Sequence, residues 1–382
     1  MTFAAALPPA KSLVGTLPAG ALDIVGDVHG EWQALQALLR HLGYDAQGRH
    51  PEGRILVFVG DLCDRGPDTP AVLDWFCEVY ARSDCLAILG NHEINLIRED
   101  AKDGAGWFFD SRTERDRAKY APFAIASPAQ RQRYLAVCAA LPVALERADL
   151  RIVHAAWMQP QIEAARTMPR GSARQHYDRF EQQAEHAARA GSLQQRLQRE
   201  KALWPHDVED SQLRPPLLRA HGERELLKQM TNPLKVLTTG VEAAAPVPFY
   251  AGGKWRFVER QPWWDRYEAP TPVVIGHYWR MWRDPQRPAA LAPATEAASA
   301  PPDGDLFACV PSNAWHGLRH NVFCVDYSVG ARWSERLQGR TDPSQSRFRL
   351  AALRWPERTL VFDDGQQCET IHFGRGVAPL LS

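Results

Sequence analysis

The chain has 382 residues, and its 45 Lys and Arg balance its 45 Asp and Glu, so the formal net charge is zero. This balance argues against nucleic acid or an anionic membrane as the general partner, and no segment is apolar for the length of a membrane span. The seven cysteines form no CxxC pair, which indicates reduced thiols and a cytoplasmic protein.

The first third of the chain repeats one pattern: a short apolar run, then a polar turn with glycine, then an amphipathic segment. Three such runs end in the motifs GDVHG (26–30), GDLCDRG (60–66) and GNHE (90–93). Their spacing of roughly 30 residues is that of a βαβ crossover. The run at 55–59 does not alternate with polar residues, which predicts strands buried on both faces of a largely parallel sheet.

The remainder of the chain holds further apolar runs, separated by a long polar segment. Residues 348–363 predict an antiparallel hairpin around the turn WPER. Residues 158–272 are charged and rich in Gln and Ala with helical periodicity, which predicts a helical insertion or lid within a single domain spanning 1–382. Residues 285–304 are rich in Pro and Ala and predict a mobile loop.

Polar residues follow the apolar runs, where loops beyond the carboxyl ends of strands form ligand sites in open α/β sheets. Their oxygen and nitrogen atoms suit Mn, Fe or Zn and disfavour a structural zinc cage of cysteines. Two cations that share one carboxylate would use every donor and would activate a water at neutral pH. The predicted donors are Asp27, His29, Asp61, Asn91, His154 and His277.

In order and spacing, the three motifs, the His that ends RIVH and the His in VVIGH resemble those of the calcineurin-like metallophosphoesterases. The DRG and GNHE forms resemble the phosphoprotein-phosphatase branch. The segments NVFCVDYSVG and LAALRWPERTLVF resemble the bacterial branch that contains diadenosine tetraphosphate hydrolases. The resemblance implies an α/β fold in which two mixed β-sheets pack as a sandwich flanked by helices.

The resemblance also implies a role for each site residue. Asp27 and His29 would hold a first divalent cation, manganese in preference to iron or zinc, and Asp61 would bridge it to a second. His92 would protonate the leaving oxygen. Asn91, His154 and His277 would hold the second cation. Asp64 would orient His92, and Arg65 would bind phosphate oxygens.

The expected function is that of a dinuclear phosphoesterase in which a metal-bound hydroxide attacks a phosphoprotein or a small phosphorylated molecule. One alternative is a symmetrical dinucleoside tetraphosphate hydrolase whose substrate base stacks on a tryptophan of the lid. Another is an inactive metal-binding scaffold. The candidate stacking residues are Trp255, Trp263, Trp264 and Trp279, and the candidates for a second phosphate-binding arginine are Arg256, Arg260, Arg266 and Arg280.

Non-functional explanations of single residues, and differences from the family pattern, limit this interpretation. A lone Asp-Arg pair is more often a surface ion pair than a phosphate-binding site, and His154 and His277 could be core histidines, although both end apolar strands where the other predicted donors also end. HAAW stands where the branch usually has glycines after the histidine, and the eukaryotic Ser-Ala-Pro-Asn-Tyr loop is missing. GHYWR lacks the second histidine of nuclease-type relatives, which argues against a DNA nuclease.

Overall fold

The computed structural model describes residues 11–283, 306–307 and 309–375. Within these residues two mixed β-sheets pack face to face, and helices cover their outer faces. This is the α/β sandwich that the resemblance implies. The predicted mobile loop at 285–304 lies outside the described residues.

The two sheets differ in how their strands are ordered. The first sheet has the order β1 (Val14–Thr16), β5 (Ala144–Arg147), β6 (Leu150–Val153), β9 (Val273–Ile275), β10 (Val322–Cys324). The second has the order β13 (Gln367–Glu369), β12 (Thr359–Phe362), β11 (Ala351–Trp355), β2 (Leu22–Val25), β3 (Ile55–Phe58), β4 (Cys85–Ala87).

The βαβ repeat predicts the parallel part of the second sheet, in which β2, β3 and β4 pair in parallel. The predicted hairpin forms from β11 and β12, and β11 pairs antiparallel with β2 at the edge that β3 leaves open. The sheet is therefore mixed, because a strand from the end of the chain completes it.

Each central strand is buried on both faces, as its apolar run predicts. Ile24 of β2 and Val57 of β3 face the core between the sheets. Their neighbours Val25 and Phe58 face the helices. Alternate side chains point to opposite faces of a strand, so the two cores need an uninterrupted apolar run.

Helices connect and cover the strands. In α1, which is predicted from its apolar spacing, Leu35, Leu38 and Leu42 are buried, and Gly43 ends the helix in a left-handed conformation. Before the insertion the helices are α1 (Trp32–Leu42), α2 (Thr69–Ala81), α3 (Asn91–Ile97), α4 (Asp110–Tyr120) and α5 (Pro128–Ala139).

The segment 158–272 contains helices and also a two-stranded sheet that its helical periodicity does not predict. Its helices are α6 (Gln159–Arg166), α7 (Ala173–Arg189), α8 (Ser192–Leu203), α9 (Arg219–Met230) and α10 (Pro233–Thr239), and a short α11 (Arg332–Arg336) follows later in the chain. The hairpin consists of β7 (Glu242–Ala251) and β8 (Lys254–Arg260) and packs against α9. In the described part of the chain, no helix has both the length and the apolar character needed to cross a bilayer.

Candidate metal centre

Polar side chains from both sheets meet beyond the ends of their strands. Asp27, Asp61 and Asn91 follow β2, β3 and β4 of the second sheet, whereas His154 and His277 follow β6 and β9 of the first. Since β2, β3 and β4 run in parallel and β6 runs parallel to β9, their carboxyl ends reach the same region.

The carboxylate of Asp61 is the centre of this cluster. Its Oδ2 lies 3.7 Å from His29 Nε2, 3.9 Å from His92 Nε2 and 3.3 Å from His154 Nε2. The Asp61 side chain is only 3% exposed. Three imidazoles thus surround one buried carboxylate.

Two groups of donor atoms share Asp61. One contains His29, Asp61 and His92, the other contains Asp61, His154 and His277, and the atoms of each group lie within 4.8 Å of one another. Two further predicted donors adjoin them: Asn91 Oδ1 lies 3.3 Å from His154 Nε2, and the backbone N–H of His277 donates to Asp27 Oδ2 at 3.1 Å. All six predicted donors are brought together.

The histidine rings are oriented as metal ligands are. His29 Nδ1 lies 3.0 Å from the Cys63 carbonyl and His154 Nδ1 lies 2.7 Å from the Val59 carbonyl. An Nδ1–H that donates to a carbonyl leaves the Nε2 lone pair for a cation. His277 Nε2 is buried and has no hydrogen-bond partner among the described residues. The residues present therefore fit divalent cations.

The electrostatics of the cluster favour bound positive charge. Burial holds the pKa values of His29 and His277 well below the ordinary value, so both rings are neutral. Burial opposes protonation of His154, but the carboxylates of Asp61 and Asp27 outweigh it and raise its pKa to about 10. Burial and the neighbouring Asp326 raise the pKa of Asp27. The raised pKa values of His154 and Asp27 mean that the cluster retains protons, which a bound cation would replace.

Two glycines allow the carboxylates to approach the backbone. A Cβ atom on Gly90 would lie 2.1 Å from Asp61 Oδ1, and one on Gly276 would lie 2.1 Å from Asp27 Oδ1. Since real Cβ contacts are not that short, a larger residue at either position would displace a donor.

A second buried arrangement borders the donors. His92 Nδ1 lies 2.5 Å from Asp64 Oδ2, and the indole N–H of Trp107 donates to Asp64 Oδ1 at 2.6 Å. Both Asp64 oxygens are thus engaged, which fixes the carboxylate against the His92 ring. The structure brings His92 and Asp64 together, and Trp107 is an additional partner of Asp64.

Arg65 is partly exposed and lies beside His29 at the edge of the cluster. Its Nη1 is 3.1 Å from His29 Nε2, and its guanidinium carbon is 4.6 Å from the centre of the Trp279 ring. Several residues here adopt the left-handed backbone conformation that side chains rarely adopt. They are His29, Asp61, Asp64, Arg65, His277 and Trp279.

Two further residues support the site. The sequence suggests only a general supporting role for Glu93 and gives no role to Asp326. Glu93, expected to support the site and not to ligate, accepts hydrogen bonds from the backbone N–H groups of Asp61, Leu62 and Gly90. Asp326 accepts one from the backbone N–H of Trp279 at 2.7 Å. Its segment, NVFCVDYSVG, carries no spacing signal that singles out this aspartate.

The four candidate arginines take different positions. Arg280 is buried and donates to backbone carbonyls, and Arg256 donates to the Ala251 carbonyl within the hairpin. Arg266 lines a cavity of about 760 Å³ beside β7. The guanidinium carbon of Arg260 lies 5.8 Å from the centre of the ring of Tyr278, the neighbour of His277, and after burial its charge is the next influence that lowers the pKa of His277.

The four candidate tryptophans divide in a similar way. Trp255, Trp263 and Trp264 are buried, and the last two belong to the main core. Trp279 is partly exposed and lies against Arg65. Base stacking at this cluster is therefore open to Trp279 and not to the other three.

The model of the family described as calcineurin-like phosphoesterase matches residues 21–162, which include Asp27, Asp61 and His154. Over this range, which is less than half of the chain, the sequence is similar to the calcineurin-like phosphoesterases. His277 lies outside the matched range, and β9 places it beside Asp61 and His154, which lie within that range.

Curated relatives resemble only a short part of the chain. The asymmetrical bis(5'-nucleosyl)-tetraphosphatase PrpE of Bacillus subtilis is 40% identical over 81 residues, which cover 20% of this chain and 33% of the relative. The protein of the same name from Geobacillus thermodenitrificans is 41% identical over 80 residues, with coverage of 20% and 33%. The chain thus spans about a third of the length of these relatives.

Solved structures align over more of the chain at low identity. A cold-active protein-tyrosine phosphatase from a psychrophilic Shewanella covers 95% of this chain and 82% of its own, at 14% identity and a TM-score of 0.42. A Saccharomyces cerevisiae serine/threonine phosphatase covers 42% and 48%, at 16% identity and a TM-score of 0.30. Both scores are low, so these alignments carry no information about function.

Proposed function

We propose that the protein is a dinuclear metal-dependent phosphoesterase. The observation that carries the proposal is the position of Asp61, whose carboxylate belongs to two groups of donor atoms at once. One carboxylate shared by two cations is the arrangement that two-metal phosphoryl chemistry needs. The family match over 21–162 supports the same reaction class.

The donors divide between two cations. Asp27, His29 and Asp61 would hold one, and Asp61, Asn91, His154 and His277 would hold the other. When bound, the cations polarise phosphoryl oxygens and make water a stronger nucleophile. The donor types suit manganese, iron and zinc alike, and manganese is proposed from the family resemblance.

His92 acts as the general acid. Its Nδ1–H donates to Asp64, which fixes the ring, and its Nε2 lies on the side of Asp61. A proton on Nε2 can pass to the leaving oxygen of a phosphate ester or anhydride held beside the donors. Asp64 stabilises the charged imidazole through the same hydrogen bond.

Arg65 binds the phosphate. Its planar guanidinium presents paired donors that match phosphate oxygens, and its position beside His29 places it at the edge of the donor cluster. Arg260 is proposed as the second cationic group because its guanidinium lies over the ring of Tyr278, next to His277.

The proposed substrates are a phosphoprotein or a small phosphorylated molecule. A dinucleoside tetraphosphate is a specific candidate, because the curated relatives are named asymmetrical bis(5'-nucleosyl)-tetraphosphatases. The relatives are named for asymmetrical cleavage, whereas the alternative predicted from the sequence is symmetrical cleavage. Symmetrical cleavage of diadenosine tetraphosphate yields two nucleoside diphosphates, whereas asymmetrical cleavage yields a triphosphate and a monophosphate, so chromatography of the products distinguishes the two.

The test is an assay of protein loaded with manganese, iron or zinc against diadenosine tetraphosphate, a phosphoserine peptide, a phosphothreonine peptide and an aryl phosphate. We expect hydrolysis of at least one substrate, loss of activity in EDTA and recovery on adding the cation. Hydrolysis that persists in full in EDTA would contradict the proposal.

Asp61→Asn and His92→Ala separate an enzyme from an inactive scaffold. Asp61→Asn removes the shared charge, so we expect kcat to fall by about a thousandfold or more while the fold is retained. His92→Ala should lower kcat while cation content, measured by elemental analysis, stays at the wild-type level. Wild-type rates in folded, cation-loaded Asp61→Asn would rule out this mechanism, and cation binding without turnover of any substrate would favour the scaffold.

A cytoplasmic location is also proposed. Five cysteines of the described residues are buried and form no disulfide: Cys63, Cys77, Cys85, Cys138 and Cys324. Burial raises the pKa values of Cys63, Cys85 and Cys138 well above the ordinary range, which keeps these thiols protonated and inert.

A further inference from the structure

The guanidinium of Arg65 lies between an imidazole and an indole. Its Nη1 is 3.1 Å from His29 Nε2, and its carbon lies over the Trp279 ring, 4.6 Å from the ring centre. Within the described residues, no carboxylate forms an ion pair with it at 4.0 Å or less. The indole face is therefore a principal support of this cationic side chain.

The hydrogen bond from Arg65 and a cation compete for one lone pair. Because His29 Nδ1 faces the Cys63 carbonyl, the lone pair of the neutral ring is on Nε2, where Arg65 donates. A cation held by His29 takes that lone pair, and the Arg65 N–H group then loses its acceptor. The indole contact does not depend on this lone pair.

A face contact also leaves the useful donors of arginine free. The five N–H groups lie in the guanidinium plane, so a ring stacked on the face consumes none of them. A carboxylate partner would occupy the same donors that a phosphate needs. Cation–π contact thus holds the charge in place and keeps its hydrogen-bonding edge available.

Trp279 is itself held firmly. It follows His277 by two residues, has φ of 54°, and donates its backbone N–H to the buried carboxylate of Asp326 at 2.7 Å. Arg65 is held at its backbone by a bond from its N–H to the Gly104 carbonyl at 3.0 Å. Two anchored backbones therefore set where the indole and the guanidinium meet.

We infer that Trp279 is a positioning residue for Arg65: its indole face holds the guanidinium ready to bind the substrate phosphate once a cation occupies His29. This rests on the proposed role of Arg65 in phosphate binding. Neither the motifs nor the spacing of the chain pairs these two residues, which are more than two hundred positions apart.

The test uses inorganic phosphate as the probe and calorimetric binding to the full-length, manganese-loaded protein as the readout, so that it does not depend on turnover. Trp279→Leu should weaken phosphate binding by about fivefold, whereas Trp279→Phe, which keeps an aromatic face, should stay within about twofold of the wild type. Elemental analysis checks that both variants carry the wild-type amount of manganese. Trp75→Leu, a change at a partly exposed tryptophan on α2, is the matched control and should leave binding unchanged.

A double-mutant cycle decides between positioning and general packing. In an Arg65→Gln background, Trp279→Leu should have no further effect on phosphate binding, because its partner is gone. An undiminished loss in that background, equal losses for Leu and Phe, or no loss for Leu would each overturn the inference, as would a wild type that binds no phosphate.

Turnover measured on the same variants separates the two proposals. If phosphate binding shows the expected coupling but no phosphoester is hydrolysed, the role of Trp279 stands and the proposed enzymatic function fails. If turnover occurs and the coupling is absent, the proposed function stands and the role of Trp279 fails.

Discussion

Asp64 shows how one residue can be fixed from two sides. His92 Nδ1 lies 2.5 Å from one oxygen and the indole N–H of Trp107 binds the other at 2.6 Å. Trp107 is only 1% exposed. Without the indole bond the carboxylate can rotate away from the histidine, so in the proposed reaction Trp107 would act as a positioning residue, through Asp64.

Trp107→Phe should therefore lower kcat by about 10- to 100-fold while cation content stays unchanged. Trp315→Phe is the matched control, because Trp315 is equally buried and its N–H donates to Thr370 between the sheets. Steady-state kinetics with elemental analysis checks the prediction. Equal losses of activity in the two variants would show that the effect is general destabilisation.

At this scale, sequence reasoning finds residues that lie in short motifs. Asp61 and Asp64 both lie in the motif GDLCDRG, and the residue types of this motif and their order indicate the site. Trp107 is 43 residues from Asp64, and Asp326 is 47 residues from Trp279. No local pattern marks such partners, because a hydrogen bond across the fold depends on where the strands bring the loops.

Among the secondary-structure elements, the repeated strand and helix units are predictable, whereas the hairpin of β7 and β8 is not. Its first strand contains Pro246 and Pro248 and a run of alanines, which strands usually avoid, and the register shifts between Ala244 and Phe249. Packing against α9 outweighs the weak local preference. The antiparallel position of β11 beside β2 is likewise a matter of tertiary pairing.

An acidic clamp joins two helices of the insertion. Glu185 on α7 accepts hydrogen bonds from Arg224 at 2.8 Å and lies 2.7 Å from Lys228 Nζ, and both cations belong to α9. The bonds from Lys228 and Arg224 lower the pKa of Glu185 from 4.5 to about 2. Since the carboxylate side chain is 25% exposed, the clamp contributes about 1 kcal/mol or less.

This clamp predicts a pH dependence for stability. A carboxylate whose pKa is depressed on folding stabilises the protein fully above its unfolded value of 4.5, and that contribution is lost as the pH falls toward 2. The difference in Tm between the wild type and Glu185→Gln should therefore be largest above pH 4.5 and should shrink below it. Thermal unfolding from pH 7 to pH 3 measures it, and a difference independent of pH would contradict the prediction.

For the molecule as a whole, the candidate centre lies where the two sheets end together. Asp27, Asp61 and Asn91 come from one sheet, and His154 and His277 come from the other. Bound cations would therefore link the two halves of the sandwich. The buried carboxylates around Asp61 are a cost to the folded protein that such cations offset.

Cation binding should accordingly raise the thermal stability of the folded protein. A ligand that binds only the folded state at a hundred times its Kd stabilises it by about 2.7 kcal/mol, which for a chain of this size corresponds to a rise in Tm of about 3 °C. We expect this rise on adding manganese to protein stripped with EDTA. Asp61→Asn should lose most of the rise, because both donor groups share that carboxylate. Glu185→Gln, far from the donors, should keep it, and an equal rise in Asp61→Asn would mean that manganese stabilises the protein somewhere other than between the two sheets.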